Sequence, residues 1–275
     1  IGGLENPPWR YFPVLGWSGA FTFAGRNILN TVDKLLLPGP KRAFTKAEGG
    51  VISATSSIRD VIRKWYGVDS VVRCEIGTGP RPAAGQTSCR EAGQPLRIIW
   101  SGLHIPRKAL PLLLDVLAEL PDDFSWRLTV LGSGPLTESW KQIASEKELA
   151  DKIDWTGRVS RDEAIRITGE SHVMVITSVY DLTSSVLVEA LSMGVPVISP
   201  DHYGFSDAID SSSGIAVNVS SLAAIREGIG QALIQLYSDE PLRRQLALGA
   251  FARAEHFHWS NTRDLVSAIY RSKIK

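Results

Sequence analysis

From Leu96 onward the chain alternates short apolar runs with single amphipathic stretches, and this alternation narrows its fold more than any other feature. Apolar runs at Leu96–Trp100, Trp126–Leu131, Ile153–Trp155, Val173–Thr177 and Val195–Ser199 are separated by one helical pattern each, at Ala109–Leu120, Leu136–Glu148, Arg161–Glu170 and Ser185–Met193. Strands joined through single helices need crossovers, and crossovers make neighbouring strands parallel. Runs such as Val173-Met174-Val175-Ile176 lack polar alternation, as expected of strands covered on both faces. Residues 96–275 are therefore expected to form an α/β domain with a doubly wound, Rossmann-like parallel sheet. Its last third reads as helical. Leu222, Ile225, Ile229, Leu233 and Leu236 share one face, Pro241 suits the start of a further helix, and Trp259–Ile274 supplies a final one.

Upstream, residues 1–76 offer fewer elements: a helix near Asn27–Leu37, a strand at Val51–Ala54, a helix at Ser56–Tyr66 and a strand at Val71–Ile76. Ile58, Val61, Ile62 and Trp65 fall three to four residues apart, the helical spacing. Two strands make only a partial second domain of the same Rossmann-like kind. Between the two parts, residues 77–95 are rich in Gly, Pro, Ala, Ser and Gln and read as a linker. The chain opens on Ile1 with no signal-peptide pattern, which reads as a trimmed or incomplete product. A domain edge bared in this way is expected to leave Trp65 and Val51–Ala54 exposed.

The charge balance sets limits on partners. The 275 residues carry 30 Lys/Arg against 29 Asp/Glu, too even for a nucleic-acid binder driven by global charge. The distribution is uneven: residues 1–95 hold 12 basic and 7 acidic side chains, residues 96–275 hold 18 and 22. A basic first third suits peripheral contact with an anionic membrane face. No uncharged stretch reaches the roughly 20 residues of a membrane span. With two cysteines, Cys74 and Cys89, the chain reads as cytoplasmic rather than disulfide-stabilised. Its five histidines show no metal-ligand spacing and Asp-x-Asp does not occur, so neither metal nor cofactor is expected.

In an open parallel sheet, ligands bind beyond the carboxyl ends of the strands, where helix amides point outward. Four turns at such positions stand out. Ser101-Gly102-Leu103-His104-Ile105-Pro106-Arg107-Lys108 places two cations just before a helix, where a diphosphate would justify them. Gly132-Ser133-Gly134-Pro135 resembles half of a dinucleotide fingerprint, yet Thr137 stands where a third Gly would be, which disfavours a dehydrogenase. Trp155-Thr156-Gly157-Arg158-Val159 offers backbone groups to a base edge. The richest runs from Thr177 to Ile198: Asp181 in a loop, Ser184 and Ser185 as helix-capping candidates, and Glu189 a turn and a half into the helix. An acid, a row of free amides and a second acid make a cradle for a nucleotide-sugar. Glu189 lies between Val188 and Ala190, so its burial would be costly unless paired.

These residues resemble the retaining glycosyltransferases of the GT-B fold, the glycosyl transferases group 1 or carbohydrate-active family 4. The family's pair of glutamates with seven residues between them, with its Ala and Gly-x-Pro tail, reads here as Asp181-x7-Glu189-Ala190 followed by Met193-Gly194-Val195-Pro196-Val197-Ile198. The turns at Gly102–Lys108, Gly132–Pro135, Trp155–Val159 and Gly204-Phe205-Ser206-Asp207, and the tail His258-Trp259, agree in order over residues 96–275. The resemblance implies a nucleotide-diphosphate hexose donor and a carbohydrate or lipid-linked acceptor. It implies Lys108 and Asp181 as catalytic residues, the first with Arg107 on the diphosphate, the second on the donor sugar. Amides near Thr183, Ser184 and Ser185 would hold phosphates and Glu189 the ribose, while Gly102, Gly132, Gly134, Arg158 and Val159 would line the donor site. Asp181 replaces a Glu, Leu103 an Arg, Ala109 a Gly and Asp207 a Glu, departures that keep open a degenerate transferase that binds donor without turnover. An epimerase or phosphorylase of the same fold is disfavoured by the Asp181…Glu189 block.

Overall fold

The computed structural model describes residues 11–47, 49–79, 88–91 and 93–273. The segment Ile1–Pro8, residues 80–87 and 92 of the expected linker and Ile274 lie outside the described residues. The chain starts with α1 (Phe12–Leu36) and α2 (Pro38–Lys46). Next come β1 (Ile52–Ser53), α3 (Ser56–Tyr66) and β2 (Val71–Val72), a small βαβ unit whose two strands are parallel. Local chemistry fixes α3: the Thr55 hydroxyl accepts from the Ile58 amide at 3.2 Å, and Gly67 closes the helix at φ 70°. Val61 and Ile62 on its inner face are buried, Ile62 packing with Val51 and Val68.

The larger sheet follows. Its elements are β3 (Leu96–Ser101), α4 (Leu110–Ala118), β4 (Trp126–Leu131), α5 (Thr137–Glu146), β5 (Ile153–Gly157), α6 (Arg161–Gly169), β6 (Val173–Val175), α7 (Ser185–Ser192), β7 (Val197–Pro200), α8 (Tyr203–Ala208) and β8 (Gly214–Val217). Helices α9 (Leu222–Ser238), α10 (Glu240–Ala254) and α11 (Trp259–Lys273) complete it. All neighbours are parallel in the order β5-β4-β3-β6-β7-β8. The chain builds outward from β3 to β5, then returns to add β6 on the other side of β3. That reversal opens a crevice between the carboxyl ends of β3 and β6, the place where ligands bind in doubly wound sheets.

The unbroken apolar strands are explained by two cores. Ile98, Trp100, Leu128, Val130, Val173 and Val175 point to one face, under α4 and α9; Ile99, Leu131, Met174 and Val197 point to the other, under α7 and α10. Several boundaries differ from expectation. α1 extends far upstream of Asn27, because Pro13 opens it and a break at Gly16 (φ 63°, ψ 179°) disguises its period. β2 ends at Val72 rather than Ile76, β6 at Val175 rather than Thr177, and α2, α8 and β8 are additional. α4 starts at Leu110, since Ala109 adopts a left-handed φ of 55°, which a Cβ resists.

The expected exposure falls elsewhere. Val51 and Ser53 are buried, Trp65 is half-buried beneath the Lys34 ammonium, and within β1 it is Ile52 that is exposed. α1 instead turns Trp17, Phe21, Leu29, Leu35 and Leu36 to solvent while its Asn27 is buried. Among the described residues no helix is long and apolar enough to cross a membrane.

The described ends of the segment between the two sheets are anchored. Thr78 bridges to His258, and Arg90 contacts both Tyr237 O and Glu240. Arg243, 1% exposed, pairs with Glu240 at 2.6 Å and donates to the carbonyls of Ser88 and His172. His172 accepts the Arg97 amide on Nδ1 at 3.0 Å. Burial first, then the Arg97 and Arg243 guanidiniums, push its imidazole down from 6.5 to about 3. Above pH 6.5 both folded and unfolded chains hold it neutral. Below that the unfolded chain takes up a proton that the native one refuses, so stability is lost as pH falls from about 6.5 towards 3. His172→Asn keeps an acceptor for Arg97 but does not titrate. The gap in urea midpoint between the parent chain and this variant should shrink steadily between pH 7 and pH 4.5.

Candidate functional site

The crevice is built from backbone outward. The turn after β3 forms a single 3-10 turn, Pro106–Lys108, and the loop after β6 folds back against it. Thr177, which ends the apolar run of β6, ties three parts together. It accepts Trp100 Nε1–H at 2.9 Å and donates to the carbonyl of Lys108 at 2.7 Å. One step along, the Val179 amide donates to Arg107 O at 2.9 Å, and Arg107 Nη1 donates to Tyr180 O at 3.1 Å. The two loops flanking the reversal are thus joined by three hydrogen bonds, and Thr177 is tied to β3 by a fourth, before any ion pair is considered.

Those bonds bring both cations of one loop onto the carboxylate of the other. Arg107 Nη1 lies 3.1 Å from Asp181 Oδ1, and Lys108 Nζ bonds Asp181 Oδ2. Lys108 and Asp181 are each 14% exposed, so the pair is only lightly screened. Two cations facing one carboxylate leave a net positive charge at the crevice, suited to an anion. The tolerance of Arg107 and Lys108 ahead of α4 has a local cause as well: they sit in the 3-10 turn, not in the helix, and Asp181 neutralises part of their charge.

The glycine turns lie beside this cluster. Gly132, at φ 109°, donates to Gly157 O at 2.8 Å, and a Cβ there would stand 2.1 Å from Gly102 O. A Cβ on Gly134 would meet His104 O at 2.6 Å. The ends of β3, β4 and β5 therefore converge so closely that side chains are excluded, and the turns offer backbone. Past Gly157, Arg158 is exposed and Val159 half-buried.

The remaining expected residues are arranged differently. Ser184 has the extended backbone of an N-cap but its hydroxyl caps nothing, and Ser185 is exposed, so the first-turn amides of α7 have no side-chain acceptor from Ser184. Thr183 donates to Glu75 Oε1 at 2.6 Å, reaching across to the end of β2. Glu189 is not deeply buried; it is half-buried and paired with exposed Arg161 at 3.3 Å, which meets the expected need for a partner. Asp207 accepts the Ser56 amide at 2.6 Å and so faces the N-terminus of α3. Between the sheets a cavity of about 160 Å³ is lined by Val72, Cys74, Thr183, Ser184, Gly204 and Asp207, among others. Burial pushes the Cys74 thiol up. Sequence reasoning passed over Thr177, Tyr180 and Glu75. For Thr177 a signal existed: a hydroxyl closing an apolar strand at the reversal point has to find a partner.

Similarity to known proteins identifies the family and the fold. Residues 89–252 match the family model described as glycosyl transferases group 1, and the chain belongs to that family. The D-inositol 3-phosphate glycosyltransferase of Acidothermus cellulolyticus is 25% identical over 208 residues, covering 70% of this chain and 45% of its own. The chain spans about half the length of the curated relatives it matches. Among solved structures, sucrose-phosphate synthase from Thermosynechococcus elongatus superposes with a TM-score of 0.66 at 21% identity, over 81% of this chain and 57% of that one. Anabaena Alr3699/HepE in complex with UDP gives 0.68 at 15% identity, over 86% and 68%. The fold is that of the GT-B transferases.

The clasp on Asp181 gives a prediction with an unusual sign. Removing its charge frees Arg107 and Lys108, so Asp181→Asn should tighten inorganic pyrophosphate binding by about tenfold, the equivalent of one charge-assisted hydrogen bond of about 1.5 kcal/mol. Isothermal titration of both chains measures it; equal or weaker binding by the variant contradicts the clasp.

Proposed function

We propose that the chain, with residues 96–275 as its donor-binding domain, is part of a retaining, metal-independent hexosyltransferase of family 4, taking a hexose from a nucleotide-diphosphate sugar to a carbohydrate or lipid-linked acceptor. The observation that supports it best is the meeting of Arg107, Lys108 and Asp181 at the reversal point of the sheet. In this reading the donor diphosphate takes the place of the Asp181 carboxylate against Arg107 and Lys108. Asp181, released, accepts from a hydroxyl of the donor sugar. The uncapped amides of α7 at Ser184 and Ser185, with Thr183 beside them, complete the phosphate seat.

Glu189 takes the ribose hydroxyls, and the turn at Arg158–Val159 the base. Gly102, Gly132 and Gly134 let the ligand approach bare backbone. As the bond between anomeric carbon and diphosphate lengthens, positive charge grows on the sugar and negative charge on the leaving group. Lys108, Arg107 and the amides are already oriented to stabilise the latter, which is where preorganised electrostatics contribute most. Uridine is the first base to test, since the Anabaena protein was solved with UDP. The acceptor enters from the side of β1 and β2, across the cavity below Cys74. Residues 1–76 then act as an acceptor-side domain and 77–95 as its connection, in a cytoplasmic protein able to touch the membrane peripherally.

Glu189 provides the test. Its ion pair with Arg161 is at the rim, where such pairs contribute about 0–1 kcal/mol. Glu189→Ala should therefore weaken nucleotide-sugar binding at least tenfold while moving the melting temperature little. Calorimetry across UDP-, GDP- and ADP-sugars, with thermal melts in parallel, reads both. Unchanged binding in the variant sinks the assignment.

A further inference from the structure

His104 lies two residues past Gly102 and is 1% exposed. Three indole rings enclose it: Trp140 at 5.0 Å, Trp100 at 5.7 Å and Trp155 at 5.9 Å between centroids. Such a box would hold an apolar side chain at no polar cost. The imidazole instead leaves Nε2 buried without a hydrogen-bond partner, a penalty that calls for a reason.

Its other nitrogen supplies one. Nδ1 lies 2.8 Å from the Thr137 hydroxyl, which accepts the Gly134 amide at 3.0 Å and donates to Gly134 O at 2.8 Å. With the hydroxyl proton directed at Gly134, the imidazole donates from Nδ1, and Nε2 is the bare lone pair. Burial, and beyond it the Lys141 ammonium, hold the ring below its ordinary pKa, in keeping with a neutral donor. The main chain of His104 repeats the link, its amide donating to Ser133 O at 3.3 Å and its carbonyl accepting from Leu136 at 3.1 Å.

We infer that His104 is a positioning residue for the donor site: through Thr137 it locks the Gly132–Gly134 turn against the turn that carries Arg107 and Lys108. The inference rests on the donor-site reading above. His104 touches no reacting atom; it sets the separation between the glycine turn and the cation pair. Without the tie the box still packs and the main-chain bonds remain, but Gly134 loses the side-chain anchor that fixes its distance from the cation turn.

Four substitutions separate this role from simple core packing. Asn places an amide N–H where Nδ1 stands, Gln places its amide further out near Nε2, and Leu offers neither. Binding of UDP, GDP and ADP by calorimetry identifies the nucleotide that the parent chain takes. For that nucleotide, His104→Leu and His104→Gln should weaken binding about tenfold, and His104→Asn should restore most of it. Melting temperature should not follow this order, since Leu removes an unsatisfied buried nitrogen. Thr137→Val should reproduce the loss, and the His104→Leu, Thr137→Val double variant should be no worse than either single one. Equal binding by His104→Leu and the parent, or no recovery with Asn, overturns the positioning role alone. Absence of binding by the parent to all three nucleotides overturns the donor site and this role together.

Discussion

The hydroxyl of Thr177 is the tie on which the site depends. A parallel sheet whose order reverses must leave a gap at its carboxyl edge between the two neighbouring strands whose connections depart in opposite directions. Here that gap is bridged at its floor, because one side chain at the end of β6 reaches Trp100 on β3 and the Lys108 carbonyl in the turn above. The Val179 amide and Arg107 O add a second rung. The positions of Arg107, Lys108 and Asp181 follow from this backbone bracing, so their attraction does not have to organise the loops. That matters energetically. A partly buried ion pair between mobile loops loses much of its gain to ordering, whereas one between loops already held in place does not.

Much of this was legible in the residue pattern, for a physical reason. Strands covered on both faces are largely apolar, so Ile98–Trp100 and Val173–Ile176 announce themselves, and single intervening helices dictate parallel pairing. The cations at 107 and 108 were identifiable because positive charge is an awkward choice just ahead of a helix, and the acid at 181 and the glycines at 102, 132 and 134 because they follow the carboxyl ends of strands, where ligands bind. What the pattern could not convey was who meets whom. The pattern places Asp181 in the donor site without showing that Arg107 and Lys108 hold it, and it offers Ser184 as a cap for α7 without showing that its hydroxyl makes no capping bond. The first depends on three-dimensional proximity between segments some 70 residues apart.

The first helix illustrates a different limit. Trp17, Phe21 and Leu35 lie on its outward face, while Asn27 is among the buried residues. Hydrophobic periodicity locates a helix only when the apolar side faces the core, and here the side that packs on the larger domain is partly polar. Pro13 and the break at Gly16 hide the start further. The long reach of α1 is therefore a tertiary fact, set by Tyr11 and Leu15 entering the core beneath α4 and by Phe23 meeting Tyr180.

That last contact has a mechanical consequence. The Phe23 ring lies 4.8 Å from Tyr180, and the carbonyl of Tyr180 accepts from Arg107. Tyr180 also meets Tyr203 at 5.3 Å, at the start of α8. One residue thus touches three parts of the fold: the leading helix, the cation turn and the short helix after β7. Only one aromatic contact and one hydrogen bond separate α1 from the Arg107 guanidinium.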